Sequence, residues 1–534
     1  MVCAGKIMQT SQAQNSFLHD QFSPAHAAIS WKAHIPQTAL HPLPKLRNII
    51  IFADMKWRSL LSIFFLTSLL GCENPRLHLL NVFKSIDLEV RYNSRAYPLL
   101  QDICGRYGPR MAGTEAGTRV EELASLLFRS YGFDNVFFQP FTFNQWQRGS
   151  VRLRIDTSGT FTDFPALALA YTPTGNINAP IVDAGNGLPE DYKNMNVTGK
   201  IVLIHLGLLP GTPENVRNTH RAQKLSLAIA QGAAGCIAVN PIPGDLPTTG
   251  TATLDGGMIK IPAVSISYER GMQLKQSLSK RRCTAVLFTE NSSGPAMARN
   301  VVARFEGYEF PAETIVVGAH LDSWDISPGA LDNASGAVSV LDMARTFKAL
   351  NLKTRRSIDF VLFMAEEAGH YGSELYVREA RHNNRLEGIR YMFNLDMTVN
   401  TYGFNLMGRY ESEDFFRETG ATIHRTDSSF SNTIAHFSYL GSDHAPFLFE
   451  GIPTFTPLCR YEEYHTYHTS ADTQEYITAP MLTDNVRISA MILYALANTP
   501  ELPATRFTDE QIRQYLIDNQ LQEELVISGD WKWD

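Results

Sequence analysis

Cysteine is scarce in this chain. Only six cysteines occur among 534 residues, they are widely separated, and no two form a Cys-x-x-Cys pair. This spacing excludes a disulfide scaffold and a cysteine-rich zinc module. Cys236 opens an apolar run, where a buried and inert thiol is the common outcome. We therefore predict no catalytic part for the cysteines beyond the N-terminal region, Cys104, Cys236, Cys283 and Cys459.

The sequence also lacks a long basic run. Lys and Arg number 47 against 54 Asp and Glu, which gives −7 with histidine neutral. Because nucleic-acid binding usually requires clustered positive charge, no nucleic-acid partner is expected. Hydrophobic residues at 44% and charged residues at 19% allow sizeable cores and exclude wholesale disorder. The length suits three or four domains of about 100–200 residues each.

Long hydrophobic runs are rare, and the one near the N-terminus is typical of a targeting signal. Lys56 and Arg58 precede an apolar stretch at residues 60–70, which is too short to span a bilayer. It ends in Leu-Leu-Gly-Cys, which resembles the lipobox of bacterial lipoproteins, with Cys72 as the lipid attachment residue. A cleaved signal without lipid and a buried strand are the alternatives. We predict an exported protein of a bacterial cell envelope, in contact with the membrane only through this lipid.

The residues before this signal have no assigned role, because a signal peptide must come first. We interpret residues 1–54 as a non-native N-terminal extension and residues 55–72 as the lipoprotein signal peptide, with translation beginning at Met55.

Strand and helix patterns alternate along the rest of the chain. A first α/β unit lies between about residues 164 and 294. Its pattern of strands and helices resembles the protease-associated domain, a small insert common in secreted peptidases. After residue 300, apolar strands again alternate with helices. This predicts a mostly parallel sheet flanked by helices on both faces. Ligands of such sheets bind at the carboxyl ends of the strands.

Residues with ligand chemistry follow one of these strands, at residues 314–318. His320 and Asp332 offer an imidazole and a carboxylate, a mixed nitrogen and oxygen pair that suits zinc. Asp322 comes two residues after His320, where its carboxylate is placed to accept the second imidazole N–H.

More such residues come at the ends of the following strands. Glu366 and Glu367 are adjacent carboxylates, which are costly at a strand end unless a cation compensates them or one binds a proton. Asp396 ends another strand, and His468 lies in a Tyr-His-Thr-Ser-Ala-Asp segment. Each alone has an ordinary structural interpretation as a cap, a turn residue or a solvated group. Together they predict a metal centre.

These motifs resemble family twenty-eight of the metallopeptidases, which are co-catalytic di-zinc exopeptidases. The resemblance covers about residues 94–500 and is carried by the His-Leu-Asp-Ser-Trp-Asp, Gly-Ala-Leu-Asp-Asn-Ala-Ser-Gly, Glu-Glu, Asn-Leu-Asp and Tyr-His-x3-Asp segments. It implies the zinc exopeptidase fold with an inserted protease-associated domain. The implied segments are 73–150 (first part of the peptidase domain), 151–295 (protease-associated domain), 296–505 (catalytic domain) and 506–534 (C-terminal helix and tail).

The resemblance implies two zinc ions per chain and assigns their ligands. Asp332 bridges both ions, His320 and Asp396 complete one, and Glu367 and His468 complete the other.

It also implies catalytic roles for residues beside the metals. Glu366 is the general base and acid, Asp322 orients His320, and Tyr467 stabilises the tetrahedral intermediate in some members. The Asp332–Asn333 peptide bond is expected to be cis.

Two other functions stay open at this stage. A receptor-like homologue would share the architecture without a working metal site, and a glutaminyl cyclase would use one zinc. Because every ligand position is filled, the sequence favours an enzyme over the receptor-like homologue. The paired glutamates and the bridging-type aspartate favour two metal ions over the single zinc of a glutaminyl cyclase.

The sequence leaves open which end of the substrate is recognised. The His-Leu-Asp-Ser-Trp-Asp segment resembles carboxypeptidase Q, whereas the bacterial members of the family are mainly aminopeptidases. Arg409 and Arg460 are candidates to hold a terminal carboxylate. Asp443 and His444 lie in a segment typical of the family, with contacts that the sequence does not give. Peptides or dipeptides are the expected substrates, and a homodimer is a further possibility.

Overall fold

The protein is described by a computed structural model that covers residues 75–461 and 466–533. The predicted extension at 1–54, the signal peptide at 55–72 and the lipid attachment residue Cys72 lie outside the described residues. Within the described ranges, no helix combines the length and apolar character needed to cross a membrane.

Strands and helices alternate along the described chain. The strands, in chain order, are β1 (Val136–Asp156), β2 (Phe161–Phe164), β3 (Leu167–Ala168), β4 (Gly175–Asp183), β5 (Ile201–His205), β6 (Gly235–Val239), β7 (Ala263–Ile266), β8 (Thr284–Phe305), β9 (Phe310–His320), β10 (Arg356–Phe363), β11 (Ile389–Asn394), β12 (Thr401–Asn405), β13 (Thr433–Ala435) and β14 (Thr454–Cys459). The α-helices are α1 (Pro75–Asn93), α2 (Ala96–Asp102), α3 (Glu115–Ser130), α4 (Pro189–Tyr192), α5 (Arg221–Ala230), α6 (Tyr268–Leu278), α7 (Ser335–Ala349), α8 (Tyr371–His382), α9 (Glu413–Thr426), α10 (Ala445–Phe449), α11 (Ala479–Asn498), α12 (Asp509–Asp518) and α13 (Gln522–Ser528).

The sheet that carries the predicted motifs is parallel only at its centre. Strands β10, β9, β11 and β14 run parallel in that order. Their outer neighbours are antiparallel, since β8 pairs antiparallel with β10 and β12 with β14. The sheet is therefore mixed, where the sequence pattern predicted a mostly parallel one. A short apolar run shows that a strand is buried but gives no information on its direction.

Helices cover both faces of this central sheet. Ile315 and Val317 of β9 belong to the same apolar cluster as Val338 of α7. Val316, between them, packs in a different cluster with Val377 of α8. Successive side chains of a strand point to opposite faces, so the two helices lie on opposite sides of β9.

Two long antiparallel strands, β1 and β8, connect the central sheet to the smaller α/β unit. They pair from Val136↔Ala303 to Asp156↔Thr284, with a register shift between Arg148 and Val151. Gly149 lies at this irregularity, where a Cβ atom would come within 2.1 Å of the carbonyl oxygen of Glu290. Both strands run through the boundaries expected near residues 150 and 295, and those boundaries stay predictions.

The smaller unit has its own parallel strands and its own cores. Strands β4, β5, β6 and β7 pair parallel in that order, and β4 also pairs antiparallel with β8. Helix α5 begins after His220, whose side chain accepts a hydrogen bond from the N–H of Ala222. Two apolar clusters, one containing Ile237 and the other Leu225, form separate cores in this unit.

Three parallel strands end at the same edge of the central sheet. His320 is the last residue of β9, Glu366 follows β10 by three residues, and Asp396 follows β11 by two. Asp332 lies just before α7, in the irregular segment Ala330–Ala334. This edge is where ligands of such sheets bind.

Candidate active site

The backbone around Asp332 is held by another carboxylate. Asp472 accepts hydrogen bonds from the N–H of Leu331 at 2.7 Å and from that of Asp332 at 3.0 Å. The side chain of Asn333 donates to the carbonyl of Leu395 at 2.9 Å. The Asp332–Asn333 peptide bond is cis, as the family resemblance implied. The sequence analysis gave Asp472 no role, although it lies in the same motif as His468.

The two carboxylate oxygens of Asp332 face two different histidines. Its Oδ1 lies 3.1 Å from Nε2 of His320, and its Oδ2 lies 3.1 Å from Nε2 of His468. Each histidine has a second carboxylate beside it. Asp396 Oδ1 is 3.5 Å from Nε2 of His320, and Glu367 Oε2 is 3.2 Å from Nε2 of His468. The five predicted metal ligands therefore lie together, in two sets that share Asp332.

Two buried carboxylate oxygens in this cluster have no hydrogen-bond partner, Glu367 Oε1 and Asp396 Oδ1. Buried carboxylates require a donor, a proton or a cation. Ligand atoms of His320, Asp332 and Glu367 all lie within 4.8 Å of one another. Mixed imidazole and carboxylate donors suit zinc. On these observations the residues fit the metal that the family resemblance implies.

The carboxylates of this cluster favour protonation of the histidines beside them. Burial opposes protonation of His320, but the surrounding carboxylates, with Glu366 foremost, hold its pKa well above the usual value. Burial likewise opposes protonation of His468, yet Glu367 and Asp332 raise its pKa to about 9. Burial and the charge of Asp332 raise the pKa of Glu367 to about 8. A metal ion that binds here must displace protons.

Glu366 lies beside the cluster without joining either ligand set. Its side chain is 11% exposed, and Oε2 lies 4.0 Å from Nε2 of His320. Its backbone N–H donates to Asp322 Oδ1 at 3.3 Å. The carboxylate thus faces both the cluster and the cavity beside it.

Asp322 contacts His320 differently from the sequence expectation. The acceptor nearest to His320 Nδ1 is the main-chain carbonyl oxygen of Asp322, at 3.2 Å, whereas its carboxylate Oδ1 is 3.7 Å away. Both the carbonyl and the carboxylate of Asp322 therefore lie on the Nδ1 side of the ring, with the carbonyl closer. The carboxylate also anchors the backbone of Glu366.

Residues of the smaller α/β unit reach the metal-ligand cluster. Arg221, at the start of α5, places Nη2 3.1 Å from Nδ1 of His468 and 3.4 Å from the hydroxyl of Tyr467. The Tyr467 ring stacks on the His468 ring with centroids 3.9 Å apart. The sequence analysis missed Arg221. Its position could have indicated a role, because a positive charge at a helix N-terminus interacts unfavourably with the helix dipole.

A cavity of about 720 Å³ opens onto this cluster. The start of α5, residues 251–254, the strand-end motifs with the start of α8, residues 440–450 and the C-terminal residues 524–533 all contribute to its lining. The carboxylates Glu374, Glu524 and Asp530 also line it, as does Arg381, which is paired with Glu450. The cavity therefore presents both acidic and basic groups to a ligand.

The two arginines suggested by the sequence do not line this cavity. Arg409 is buried, donates to the carbonyl of Gly451 and packs 3.7 Å from the Phe507 ring centroid. Arg460 lies over the ring of Tyr402 and lines a separate cavity. Their proposed contact with substrate is wrong for this geometry.

Asp443 and His444 are both fully buried. His444 Nε2 lies 2.8 Å from the carbonyl oxygen of Tyr439, and burial lowers its pKa to about 4. Neither carboxylate oxygen of Asp443 has a hydrogen-bond partner. Burial and the charge of Glu366 raise the pKa of Asp443 to about 8.

The described cysteines are free thiols whose ionisation is suppressed. Burial raises the pKa of Cys104 to about 11 and that of Cys459 to about 12. Burial also raises the pKa of Cys236 and Cys283, in the second case against the opposing charge of Arg281. These values agree with thiols that take no part in catalysis.

Comparison with known families agrees with this geometry. Residues 300–493 match the model of peptidase family M28, and residues 174–274 match that of the PA domain. The chain therefore carries a region of peptidase family M28 and a PA domain. The resemblance and the fold class expected from the sequence are confirmed.

Individual relatives give the class of reaction. Carboxypeptidase Q from Bos taurus is 24% identical over 420 residues, which cover 77% of this chain and 86% of the relative. The crystal structure of a peptidase M28 precursor from Shewanella amazonensis matches with a TM-score of 0.70 at 22% identity, covering 81% of this chain and 100% of that one. The zinc aminopeptidase BSAP from Bacillus subtilis matches with a TM-score of 0.57 at 25% identity, over 78% and 97% of the chains. The protein is a peptide hydrolase of the metallo-exopeptidase class.

Proposed function

We propose that this protein is a di-zinc exopeptidase that hydrolyses the terminal peptide bond of short peptides or dipeptides. One observation carries the proposal: the two oxygens of Asp332 each lie 3.1 Å from the Nε2 atom of a different histidine. A carboxylate placed between two imidazoles in this way suits a bridge between two metal ions.

The charge of the cluster supports two ions over one. Three carboxylates, Asp332, Glu367 and Asp396, lie against the histidines, and Glu366 adds a fourth close by. Two divalent cations balance four carboxylates, whereas a single ion leaves two buried negative charges. The single-zinc alternative is therefore less favourable. His320, Asp332 and Asp396 would hold one zinc, and Asp332, Glu367 and His468 the other.

The chain's own residues provide the proton transfers. When bound, zinc lowers the pKa of water and polarises the scissile carbonyl. The Glu366 carboxylate accepts a proton from the attacking water as the new C–O bond forms. It then delivers this proton to the leaving nitrogen as the C–N bond breaks. Tyr467 and Arg221 lie beside His468 and are suited to donate hydrogen bonds to a carbonyl or carboxylate oxygen of the substrate.

The cavity suits substrates that carry both termini close together. Arg221 is a donor for a terminal carboxylate, and Glu374, Glu524 and Asp530 are acceptors for a free ammonium group. A dipeptide presents both groups within such a cavity. A panel of dipeptides, each blocked at one end or the other, tests which terminus is required. Equal turnover of long peptides blocked at both ends would contradict an exopeptidase.

The alternative function is that of a receptor-like protein without catalytic activity. It is less favourable because every ligand position and the base are filled. Purified, folded protein that binds no zinc and cleaves no dipeptide would support that alternative.

We also propose that the protein is exported and anchored by a lipid on Cys72, without contact with nucleic acid. The proposal rests on the lipobox-like sequence. Fatty-acid labelling of the wild-type protein and of Cys72→Ser tests it: incorporation should occur only in the wild type. A homodimer is testable by sedimentation of the purified protein.

A further inference from the structure

His370 is a residue of the cavity that the mechanism above does not use. It lies at the start of α8 and lines the cavity together with Glu366. Its side chain is 25% exposed, so it is neither a core residue nor a fully solvated one.

The turn between β10 and α8 folds His370 back over Glu366. The carbonyl oxygen of Glu366 accepts hydrogen bonds from the N–H of Gly369 at 2.8 Å and from that of His370 at 2.9 Å. His370 itself has a positive φ of 60°, an uncommon conformation for a residue other than glycine. The turn is therefore closed around the residue that serves as general base.

The two oxygens of the Glu366 carboxylate have different neighbours. Oε1 lies 3.4 Å from Nε2 of His370, whereas Oε2 points towards the metal-ligand cluster, 4.0 Å from Nε2 of His320. Without a partner for Oε1, the side chain would be free to rotate towards the cavity.

The surroundings of His370 favour its role as a donor. The titratable groups near it include three carboxyl groups, Glu366, Glu374 one turn further along α8 and the buried Asp443, and the histidines His220 and His444. Although burial opposes protonation, Glu366 raises the pKa of His370 to about 8. A neutral imidazole can also donate from Nε2, so the contact does not depend on this protonation.

We propose that His370 is a positioning residue that holds Oε1 of Glu366, so that Oε2 is directed at the attacking water. This inference rests on the proposed role of Glu366 as general base. Groups that orient a reacting side chain through a hydrogen bond typically change activity by about 10–100-fold.

The test compares two substitutions of His370 in the full zinc-loaded enzyme. His370→Leu removes the donor and should lower kcat by about 10–100-fold, with KM within about twofold and zinc content unchanged. His370→Gln keeps an N–H donor near the same position and should recover most of the lost kcat. A rise in KM at unchanged kcat would show a direct substrate contact and overturn the proposal. Wild-type kcat in His370→Leu would also overturn it.

A matched control is available elsewhere in the chain. His436 Nε2 lies 3.1 Å from Oε2 of Glu413, a similar pair that does not line the cavity. His436→Leu should leave kcat and KM unchanged. The comparison then shows that the effect is specific to the pair of His370 and Glu366 and does not follow from the loss of any histidine–glutamate pair.

The double variant separates this inference from the proposed function. If His370 acts only through Glu366, adding His370→Leu to Glu366→Gln should not lower the residual kcat further. A further tenfold loss would overturn the positioning role. If Glu366→Gln alone keeps wild-type activity, the general-base assignment fails instead, whatever the result at His370.

Discussion

Asp472 is expected to hold Asp332, the proposed bridge between the metal ions, in place through two backbone hydrogen bonds. Its side chain is buried, with the residue only 3% exposed, and its oxygens lie 2.7 Å and 3.0 Å from the N atoms of Leu331 and Asp332. A hydrogen bond to a charged group contributes about 1.5–3 kcal/mol. Asp472→Ala removes two such bonds and leaves two buried N–H groups without acceptors. We expect a local loss of about 3–5 kcal/mol.

Amide hydrogen exchange measures this loss locally, in a chain too large for a simple two-state unfolding analysis. Because about 1.4 kcal/mol corresponds to a factor of ten, exchange at Leu331 and Asp332 should accelerate by roughly two to four powers of ten in the metal-free variant. Asp472→Asn keeps one acceptor and should show a smaller effect. Zinc affinity should fall in the same order, since the position of Asp332 depends on this backbone.

Asp156 provides the control for this prediction. It accepts two backbone hydrogen bonds in an exposed turn, from Ser158 and Gly159. Water replaces an exposed acceptor at little cost, so Asp156→Ala should leave amide exchange at Leu331 unchanged. Unchanged exchange and zinc affinity in Asp472→Ala would refute the reasoning.

Three further predictions concern the metal, the base and the PA-domain residue at the site. Glu366→Gln should lower kcat by about 10²–10⁴-fold with normal zinc content, because only the proton transfers are lost; near-normal kcat, measured with metal analysis, would refute the base assignment. Without metal, the pKa values of His320, His468 and Glu367 are all raised, so zinc binding at pH 7 should release about three protons and weaken as the pH falls. Titration calorimetry in buffers of different ionisation enthalpy checks this, and heats independent of the buffer would contradict it. Gly250→Ala would place a Cβ atom 2.1 Å from Nη1 of Arg221, so it should raise KM for unblocked dipeptides by about 10–100-fold, as Arg221→Ala should; a normal KM in both would exclude Arg221 from substrate binding.

Local sequence pattern was enough to predict the centre of the site. His320 ends a short apolar strand and Glu367 and Asp396 closely follow others, and parallel strands bring such positions to one edge of a sheet. His320, Glu367 and Asp396 were therefore predictable before their distances were known. The sharing of Asp332 between two histidines came from the family resemblance, and the geometry agrees with it.

Contacts between segments distant in sequence were not predictable in the same way. Arg221 reaches the cluster only because the long strands β1 and β8 connect the smaller α/β unit to the central sheet. His370 depends on a turn with positive φ, which no local pattern predicts for histidine. Arg409 was misjudged because a buried arginine that donates to main-chain carbonyls has the same sequence appearance as one that binds substrate.

The number of metal ions is the central claim of this account. Chelator-stripped enzyme titrated with zinc, with dipeptide hydrolysis followed at each addition, measures it directly. We predict that activity rises to full value only at two equivalents per chain, because Asp332 lies between two complete sets of ligands. Saturation at one equivalent, with no gain at the second, would contradict the di-zinc site and favour the single-zinc alternative.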